Sequence, residues 1–544
     1  MDENQYVANE NTIFVPSKIL KIFPDAQGVD IHANGKGTSQ FIFQIPDYLN
    51  FINPETLRLR FNMKFSDCRG MPKPNPVAAA NSLFRHMRTQ SINSLSILEE
   101  IDEYSSYVGM TYSYSQDDGI IHDRELNEGL SLTNNSAQQL FWSAQNLPSV
   151  GITAANTPKS VALSLPVHSG VLGRDASVLP VAALGGVKLT METNSLMKSI
   201  KLANNSGKGE DKQALVKTQV AAGDWNNASL DHLVGIVVKN ADSVDCGFEI
   251  GDAIYYDAAG VDTLIGLVVS VDANAGDTRI QVRGDVPINT DWKLLAVDTP
   301  LYTKAIDRFN GWTPGPNMSG TASASITLAK TEAAKSIDYT ITDLEMIVEQ
   351  LQPPESYTNE LVKKLNSREG LVMVYRNSTL QKVNLIGTNG VLSASIPNQS
   401  QKVYAINIMP LNSTDSYNGD NLTAVGVDGA QNYQFVINDV LVPDQRCPLR
   451  RMTLTPPYVE QLHLQELRKS LVSSGVFVRS LQNAERNFVI GRAVSMYGAV
   501  SDITKSDLSV RIEYDNAVRQ KTLNCYVCSA RTMVIRPNEV QVIA

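Results

Sequence analysis

The sequence predicts an all-β chain: two tandem eight-stranded domains with short helices and, inside the first domain, a small β-barrel-like insertion. Three observations predict it. Apolar residues alternate with polar ones in segment after segment, which buries one face of a strand and wets the other. A passage of strand, Asn turn and amphipathic helix occurs twice, about 350 residues apart. That spacing is too wide for a solenoid and suits two similar domains in tandem. Between 201 and 303 the strand signals become short and crowded, the texture of a small barrel.

A chain of 544 residues exceeds what one core usually serves. Its 43% hydrophobic and 19% charged residues are those of a globular protein, neither disordered nor fibrous. The expected division is a first domain over 1–352 carrying the insertion 201–303, a linker helix over 353–369, and a second domain over 370–544.

In the first domain, Ile13-Phe14-Val15-Pro16 and Ile19-Leu20-Lys21-Ile22-Phe23-Pro24 give two short strands closed by prolines, which fits edge positions. Phe41-Ile42-Phe43-Gln44-Ile45-Pro46 is another. Leu57, Leu59, Phe61, Met63 and Phe65 alternate with Arg58, Arg60, Asn62 and Lys64, so this strand has one face on a core. The strand 83–92 stops at Asn93-Ser94, and Ile97, Leu98, Ile101, Tyr104 and Val108 then predict a helix over 97–108 with acids on its other side. A polar excursion runs over 113–149. Strands resume at 161–166 and at Val187, Leu189 and Met191, with Ser169-Gly170-Val171-Leu172-Gly173 as turn chemistry between them. The insertion opens with a loop, 204–209. Its five expected strands are 233–238, 254–256, 264–271, 278–282 and 293–296, punctuated by Gly251-Asp252, Ala259-Gly260 and Ala275-Gly276-Asp277.

Residues 337–351 read as the strand that completes the first domain. Pro353-Pro354 ends it, and Tyr357, Leu361 and Leu365 place a helix over 355–365. The second domain's strands are expected at 371–375, 402–408, 433–437, 488–494, 508–514, 523–527, 533–535 and 540–543. Tyr433, Phe435 and Ile437 precede Asn438-Asp439, and Tyr458, Val459, Leu462, Leu467 and Leu471 predict the second copy of the helix. Eight strands with a helix between the early and late sets is the arithmetic of a jelly roll.

The net charge is −9, and no local cluster of bases offsets it, so direct nucleic-acid binding is not expected. The five cysteines, Cys68, Cys246, Cys447, Cys525 and Cys528, are odd in number and dispersed, which suits a reducing compartment. The start of the chain lacks an apolar export segment, and no run of about 18 apolar residues occurs, so neither secretion nor a membrane span is expected. The Asn-x-Ser/Thr triplets at Asn204, Asn377 and Asn412 then read as chance matches or loops.

Reactive constellations fail together. There is no G-x-S-x-G, no H-E-x-x-H and no EF-hand loop. Gly35-Lys36-Gly37-Thr38 reads as a hairpin loop rather than a phosphate cradle, because the preceding glycine is missing. Cys525 and Cys528 form a CxxC within a strand, where residues three apart face opposite ways; buried thiols are expected. His32, His86, His122, His168, His232 and His463 stand singly. Glu99-Glu100 and Asp102-Glu103 fall on the outward side of the expected helix and read as a solvated face. Asp117-Asp118 lacks further oxygen ligands. Tyr104, Tyr107, Tyr112 and Tyr114 are expected in core or interface packing. The expectation is therefore no catalytic, cofactor-binding or metal residue, no cofactor and no enzyme.

Two eight-stranded β domains in tandem, each with a helix after an Asn-turn strand and joined across Pro353-Pro354, resemble one family: the double jelly-roll major capsid proteins, most similar to those of virophages, polinton-like viruses and adintovirus-type double-stranded DNA elements. The resemblance is carried by 41–65, 81–107, 337–365, 433–438 and 507–544. The insertion departs from the family pattern. The resemblance implies a homotrimer whose six jelly rolls form a pseudo-hexameric capsomer, tiling an icosahedral shell around double-stranded DNA. It also implies penton and minor capsid proteins as partners, a host receptor reached through outer loops, a virion location, and assembly in the host cytoplasm or nucleus. On this reading 113–149 and 201–303 supply the outer tower, and deleting 208–295 should leave soluble trimers. The alternative is a jelly-roll binding module of the lectin or adhesin kind, which an export signal or calcium-site clusters would favour. A β-sandwich glycoside hydrolase would need two carboxylates about 5 to 10 Å apart in a cleft, and a vertex protein would need only one jelly roll.

Overall fold

The computed structural model describes residues 15–25, 27–65, 72–75, 77–115, 123–124, 127–129, 160–174, 178–202, 213–220, 233–239, 253–258, 261–274, 277–283, 299–302, 305–307, 311–313, 338–385, 390–397, 402–412, 430–451, 458–481, 487–494, 507–514 and 521–543. The first half contributes β1 (Val15–Ile22), β2 (Gln40–Ile45), β3 (Phe51–Phe65), β4 (Phe84–Ser91), β5 (Ile97–Asp102), α1 (Tyr104–Ser115), β6 (Val161–Pro166) and β7 (Val187–Thr193). The insertion contributes β8 (Gln213–Val220), β9 (Leu233–Lys239), β10 (Ala253–Ala258), β11 (Val261–Asn274), β12 (Asp277–Arg283) and β13 (Pro300–Tyr302). Then come β14 (Tyr339–Gln352) and α2 (Glu355–Leu365). The second half holds β15 (Leu371–Leu385), β16 (Gly390–Ser395), β17 (Val403–Asn412), β18 (Ala430–Ile437), β19 (Val440–Pro448), α3 (Gln461–Ser473), β20 (Ile490–Ala493), β21 (Leu508–Tyr514), β22 (Lys521–Arg536) and β23 (Glu539–Ile543).

Sheet order shows the duplication. In the first half β1-β14-β3-β6 faces β2-β7-β4-β5; in the second, β15-β22-β17-β20 faces β16-β21-β18-β19. Counting each half's eight strands in chain order, both sandwiches are ordered 1-8-3-6 and 2-7-4-5, so both are jelly rolls of one topology. The alternation in β3 does what its sequence predicts: Leu57, Leu59, Phe61, Met63 and Phe65 are buried. Phe84 meets Phe41 and Phe61 edge-to-face with ring centres 5.7 and 6.1 Å apart, so aromatic packing joins the two sheets. The helix expected over 355–365 is α2, with Leu361 buried.

The helix expected over 97–108 is only partly a helix. Residues 97–102 are β5, a hairpin partner of β4, and α1 begins at Tyr104. The cause is a β-bulge. Thr89 pairs with Glu99 and Gln90 with Ile97, which leaves Leu98 as the extra residue. Leu98 and Glu99 are therefore buried side by side, and a strand with a bulge shows the apolar spacing of a helix. Glu103 adopts a left-handed φ of 48° where strand turns into helix. In the second copy Asn438 and Asp439 form a two-residue left-handed turn into β19, a strand absent from the expectation because both of its faces are largely exposed. Tyr458 and Val459 lie in a short strand and α3 starts at Gln461. The duplicated unit is hairpin then helix, not strand then helix.

Further differences follow from length and punctuation. β16 was not expected, and 523–527 and 533–535 are one continuous 16-residue strand, β22, with β23 added beside it. The expected excursion 113–149 begins as the last turn of α1, and most of it lies outside the described residues. The insertion is a closed barrel of six strands rather than five, ordered β8-β9-β12-β11-β10-β13. The strand expected at 293–296 lies outside the described residues, and β8 and β13 supply the closure instead.

Candidate functional site

The groups with chemical potential are dispersed, and most are neutralised by packing. Cys525 lies in the core of the second roll and Cys528 in a separate cluster with Tyr404, Ala405 and Ala530, so the CxxC does face opposite ways. Burial pushes the Cys525 thiol up to about 12 and the Cys447 thiol up to about 11, which removes the thiolate that metal binding or nucleophilic attack requires. Gly35 and Lys36 lie in a turn closed by Lys36 N–H donating to the Ala33 carbonyl, and the His32 N–H donates to the Thr38 carbonyl across it. His32 lies 3.3 Å from Asp338, and His86 lies 3.0 Å from Glu100 and 3.7 Å from Asp102. His463 is fully buried between the Tyr433 and Phe488 rings, 5.8 and 5.4 Å between centres, and neither ring nitrogen has a hydrogen-bond partner among the described residues. Burial pushes its pKa down to about 4. Asp117, Asp118, His122, His232, Cys68, Cys246 and Asn204 lie outside the described residues. Asn377 and Asn412 belong to strands β15 and β17 rather than to loops. Among the described residues no group of three or more His, Cys, Asp or Glu side chains could hold a metal ion.

The acidic run is not a solvated helix face. Glu99 is 1% exposed. Its carboxylate accepts from the Ser169 hydroxyl and from the Gly170 N–H at 2.9 Å, fixing the turn 169–174. Glu103 is also buried, and its carboxylate takes Lys198 at 2.9 Å and Lys382 at 2.6 Å. Burial would raise its pKa, but the two ammonium groups outweigh burial and hold it below the ordinary carboxylate value. Lys382 belongs to the second roll, so this acid ties the rolls together.

Glu103 sits in the middle of a large seam between the rolls. Leu371, Met373 and Tyr375 of β15 and Met533 and Ile535 of β22 share one apolar cluster with Leu98 of β5 and the first roll's core. Beside it, Met110 and Tyr114 of α1 pack with Met409, Leu467, Leu471 and Tyr526 of the second roll. Polar groups fasten the same surface. The Tyr375 hydroxyl donates to the Leu98 carbonyl, Tyr526 to the Glu103 carbonyl at 3.1 Å, Ser96 to the Val540 carbonyl at 2.6 Å, and the Asn487 amide to the Gly109 carbonyl at 3.0 Å. Gly170 is required here, since a Cβ would collide with the Arg376 carbonyl oxygen of the second roll. The tyrosines expected in packing are there: the Tyr107 and Tyr526 rings meet at a 45° tilt with centres 5.7 Å apart, and Tyr112 lies under the Arg124 guanidinium at 3.7 Å. The bulge that buries Leu98 and Glu99 and the left-handed Glu103 together shape this seam, and a periodicity search has no signal for either.

Two jelly rolls of identical strand order, fastened in one chain by an apolar seam, make this protein a double jelly roll. Solved structures of the same architecture come from viruses. VP54 of PBCV-1, fitted into a cryo-EM reconstruction of the virophage Sputnik, matches with a TM-score of 0.50 over 99% of this chain and 98% of that chain at 8% identity. A quasi-atomic model of the PBCV-1 virus capsid matches at 0.49 over 99% and 98% at 7% identity, and the Faustovirus major capsid protein at 0.49 over 97% and 92% at 8% identity. No family model and no curated protein sequence matches the chain. The resemblance to double jelly-roll major capsid proteins thus rests on fold, with almost no shared sequence.

Proposed function

We propose that this chain is the major capsid protein of a double-stranded DNA virus, three copies of which form a pseudo-hexameric capsomer that tiles an icosahedral shell. The observation that carries the reading is the seam: it fixes two near-equivalent sandwiches side by side, so each chain contributes two of six similar wedges. Such a role asks for rigid shape rather than reactivity, in keeping with thiols and acids committed to packing. In this reading 1–352 and 370–544 are the two rolls, 353–369 links them, and 201–303 is an outer ornament. The partners are further copies of the chain, penton and minor capsid proteins, and a host receptor met by outer loops; the chain grips no specific nucleic-acid sequence and performs no catalysis. Its place is the virion, after assembly inside the host cell. Trimer contacts should bury on the order of 2,000 Å² or more, as obligate interfaces do. Light scattering of the purified protein, with negative-stain images of the same peak, tests the reading. A mass near three times 59.5 kDa with a hexagonal outline is expected. A chain that stays monomeric at high concentration would instead favour a lectin- or adhesin-like binding module.

A further inference from the structure

The two halves of α3 are held to the second roll by different kinds of contact. The C-terminal half is clamped by neutral hydrogen bonds. The Ser470 hydroxyl donates to the Asn407 side-chain oxygen of β17, and the Asn407 amide donates to the Ser474 hydroxyl at 2.8 Å. Gly491 of β20 lies against Ser470, where a Cβ would collide with the serine hydroxyl. The N-terminal half is seated by His463, a fully buried imidazole in a box closed by the Tyr433 and Phe488 rings. Hydroxyls and amides are indifferent to pH in the range where an imidazole titrates, so only the N-terminal half responds to protons.

Nothing around the box is arranged to receive a positive charge. Tyr433 of β18 and Cys447 of β19 are neutral, because burial pushes the pKa of both groups up. On α3 itself, Glu460 stands before the first turn, and Glu466 already takes Lys469 at 2.7 Å and Arg492 of β20. β17 and residues 487–489 carry no charged side chain. Neither imidazole nitrogen has a hydrogen-bond partner among the described residues. A protonated ring is therefore a buried, unpaired cation, and it is relieved by leaving the box.

The same box adjoins the seam between the rolls. Phe488 follows Asn487, whose amide donates to the Gly109 carbonyl at 3.0 Å and to the Ser113 hydroxyl at 2.5 Å, and whose carbonyl accepts from the Tyr114 hydroxyl, all on α1. One and two turns beyond His463, Leu467 and Leu471 pack with Met110 and Tyr114 of α1. Just after α3, the Arg479 and Ser480 N–H groups donate to the Tyr114 carbonyl at 2.9 and 3.3 Å. The helix that rests on a neutral histidine thus also holds the first roll.

We propose that α3 is an acid-operated clasp on the seam: protonation of His463 releases the first turns of the helix from the Tyr433–Phe488 box and loosens the hold on α1, while both sandwiches stay folded. The ring is neutral inside the box and takes a proton outside it, so each fall in pH favours the open form. With the boxed ring titrating at about 4 and the released one at 6.5, the open population rises roughly 25-fold between about pH 7.5 and about pH 5. In the capsomer reading this loosens the shell in an acidified compartment; the clasp itself stands with or without that reading.

Hydrogen–deuterium exchange of the full chain at about pH 7.5 and about pH 5, corrected for the intrinsic pH dependence of amide exchange, tests the clasp. Protection of α3 and α1 should fall together by roughly 25-fold, while β3, β14 and β22 keep theirs. His463→Leu fills the box without a titratable nitrogen and should keep α3 closed at both pH values. Exchange of the His463 ring C2 hydrogen, followed by mass spectrometry across pH, reads protonation in the unaltered chain and needs no variant. A midpoint well below 6.5 is expected, and an ordinary one at 6.5 overturns the proposal. So does an equal fall in the unaltered chain and His463→Leu, a fall in α3 that leaves α1 protected, or a simultaneous loss across both rolls.

Discussion

A buried histidine with no hydrogen-bond partner is costly to protonate, and His463 makes the second roll acid-sensitive. Its pKa falls from an ordinary 6.5 to about 4 through burial alone. Between those values the unfolded chain holds a proton that the folded chain rejects, so stability falls as pH drops through about 6.5 and levels off only near about 4. The loss is roughly 2 to 3 kcal/mol between about pH 7 and about pH 4.5. His463→Leu should flatten that dependence. Denaturant unfolding of both proteins at the two pH values measures it, and equal slopes for the two would show that other groups govern the acid response. Glu103 adds in the same direction, because its depressed pKa contributes stability above the ordinary carboxylate value that is lost as pH falls through the folded one. Neither residue stands out in the sequence. A lone His and a run of acids become meaningful only when their surroundings are known.

At the scale of elements, what the sequence disclosed was what periodicity can carry. β3, β14, α2 and β21 have long, regular patterns with one buried face, and each is where its pattern places it. The misreadings share a cause: strands that break the period of two. Leu98 bulges in β5, and β19, an edge strand with Pro443 and Asp444, has almost no buried face to reveal it. The seam was illegible for the same reason, since it is built from the bulge, from the left-handed Glu103 and from residues hundreds of positions apart. The Asn438-Asp439 turn shows local chemistry that was legible but assigned to the wrong successor. Both residues have positive φ, 51° and 61°, the geometry of the tight hairpin turn for which Asn-Gly is preferred. Asp439→Gly removes Cβ strain at the second position and should stabilise the β18–β19 hairpin by about 0.5 kcal/mol. A rise in the thermal midpoint would show it; a fall would mean that the Asp439 side chain contributes more than its backbone strain costs.

At the scale of the molecule, removal of the barrel is expected to leave the two rolls folded. The barrel enters and leaves through neighbouring strands: Gln213 of β8 pairs with Tyr302 of β13, so a short Gly-Ser bridge can span the gap. Its buried residues, among them Ile236, Val238, Ile254 and Leu301, share no cluster with the first roll's core among the described residues. The strand ends place the cut at 213–302 rather than at 208–295, which would strand β13 without a partner. The excised segment holds thirteen acids and five bases, nearly all of the chain's net charge of −9. Two outcomes follow that separate fold from colloidal behaviour. The excised chain should unfold in one cooperative transition at an unchanged midpoint and keep the association state of the full chain, because the sandwiches and their seam are intact. It should also be less soluble near neutral pH, because what remains is close to neutral. Near-ultraviolet circular dichroism and light scattering in moderate salt distinguish the two effects. Loss of the tertiary signal in salt would mean that the barrel helps to fold the first roll, and the view of it as an outer ornament would fail.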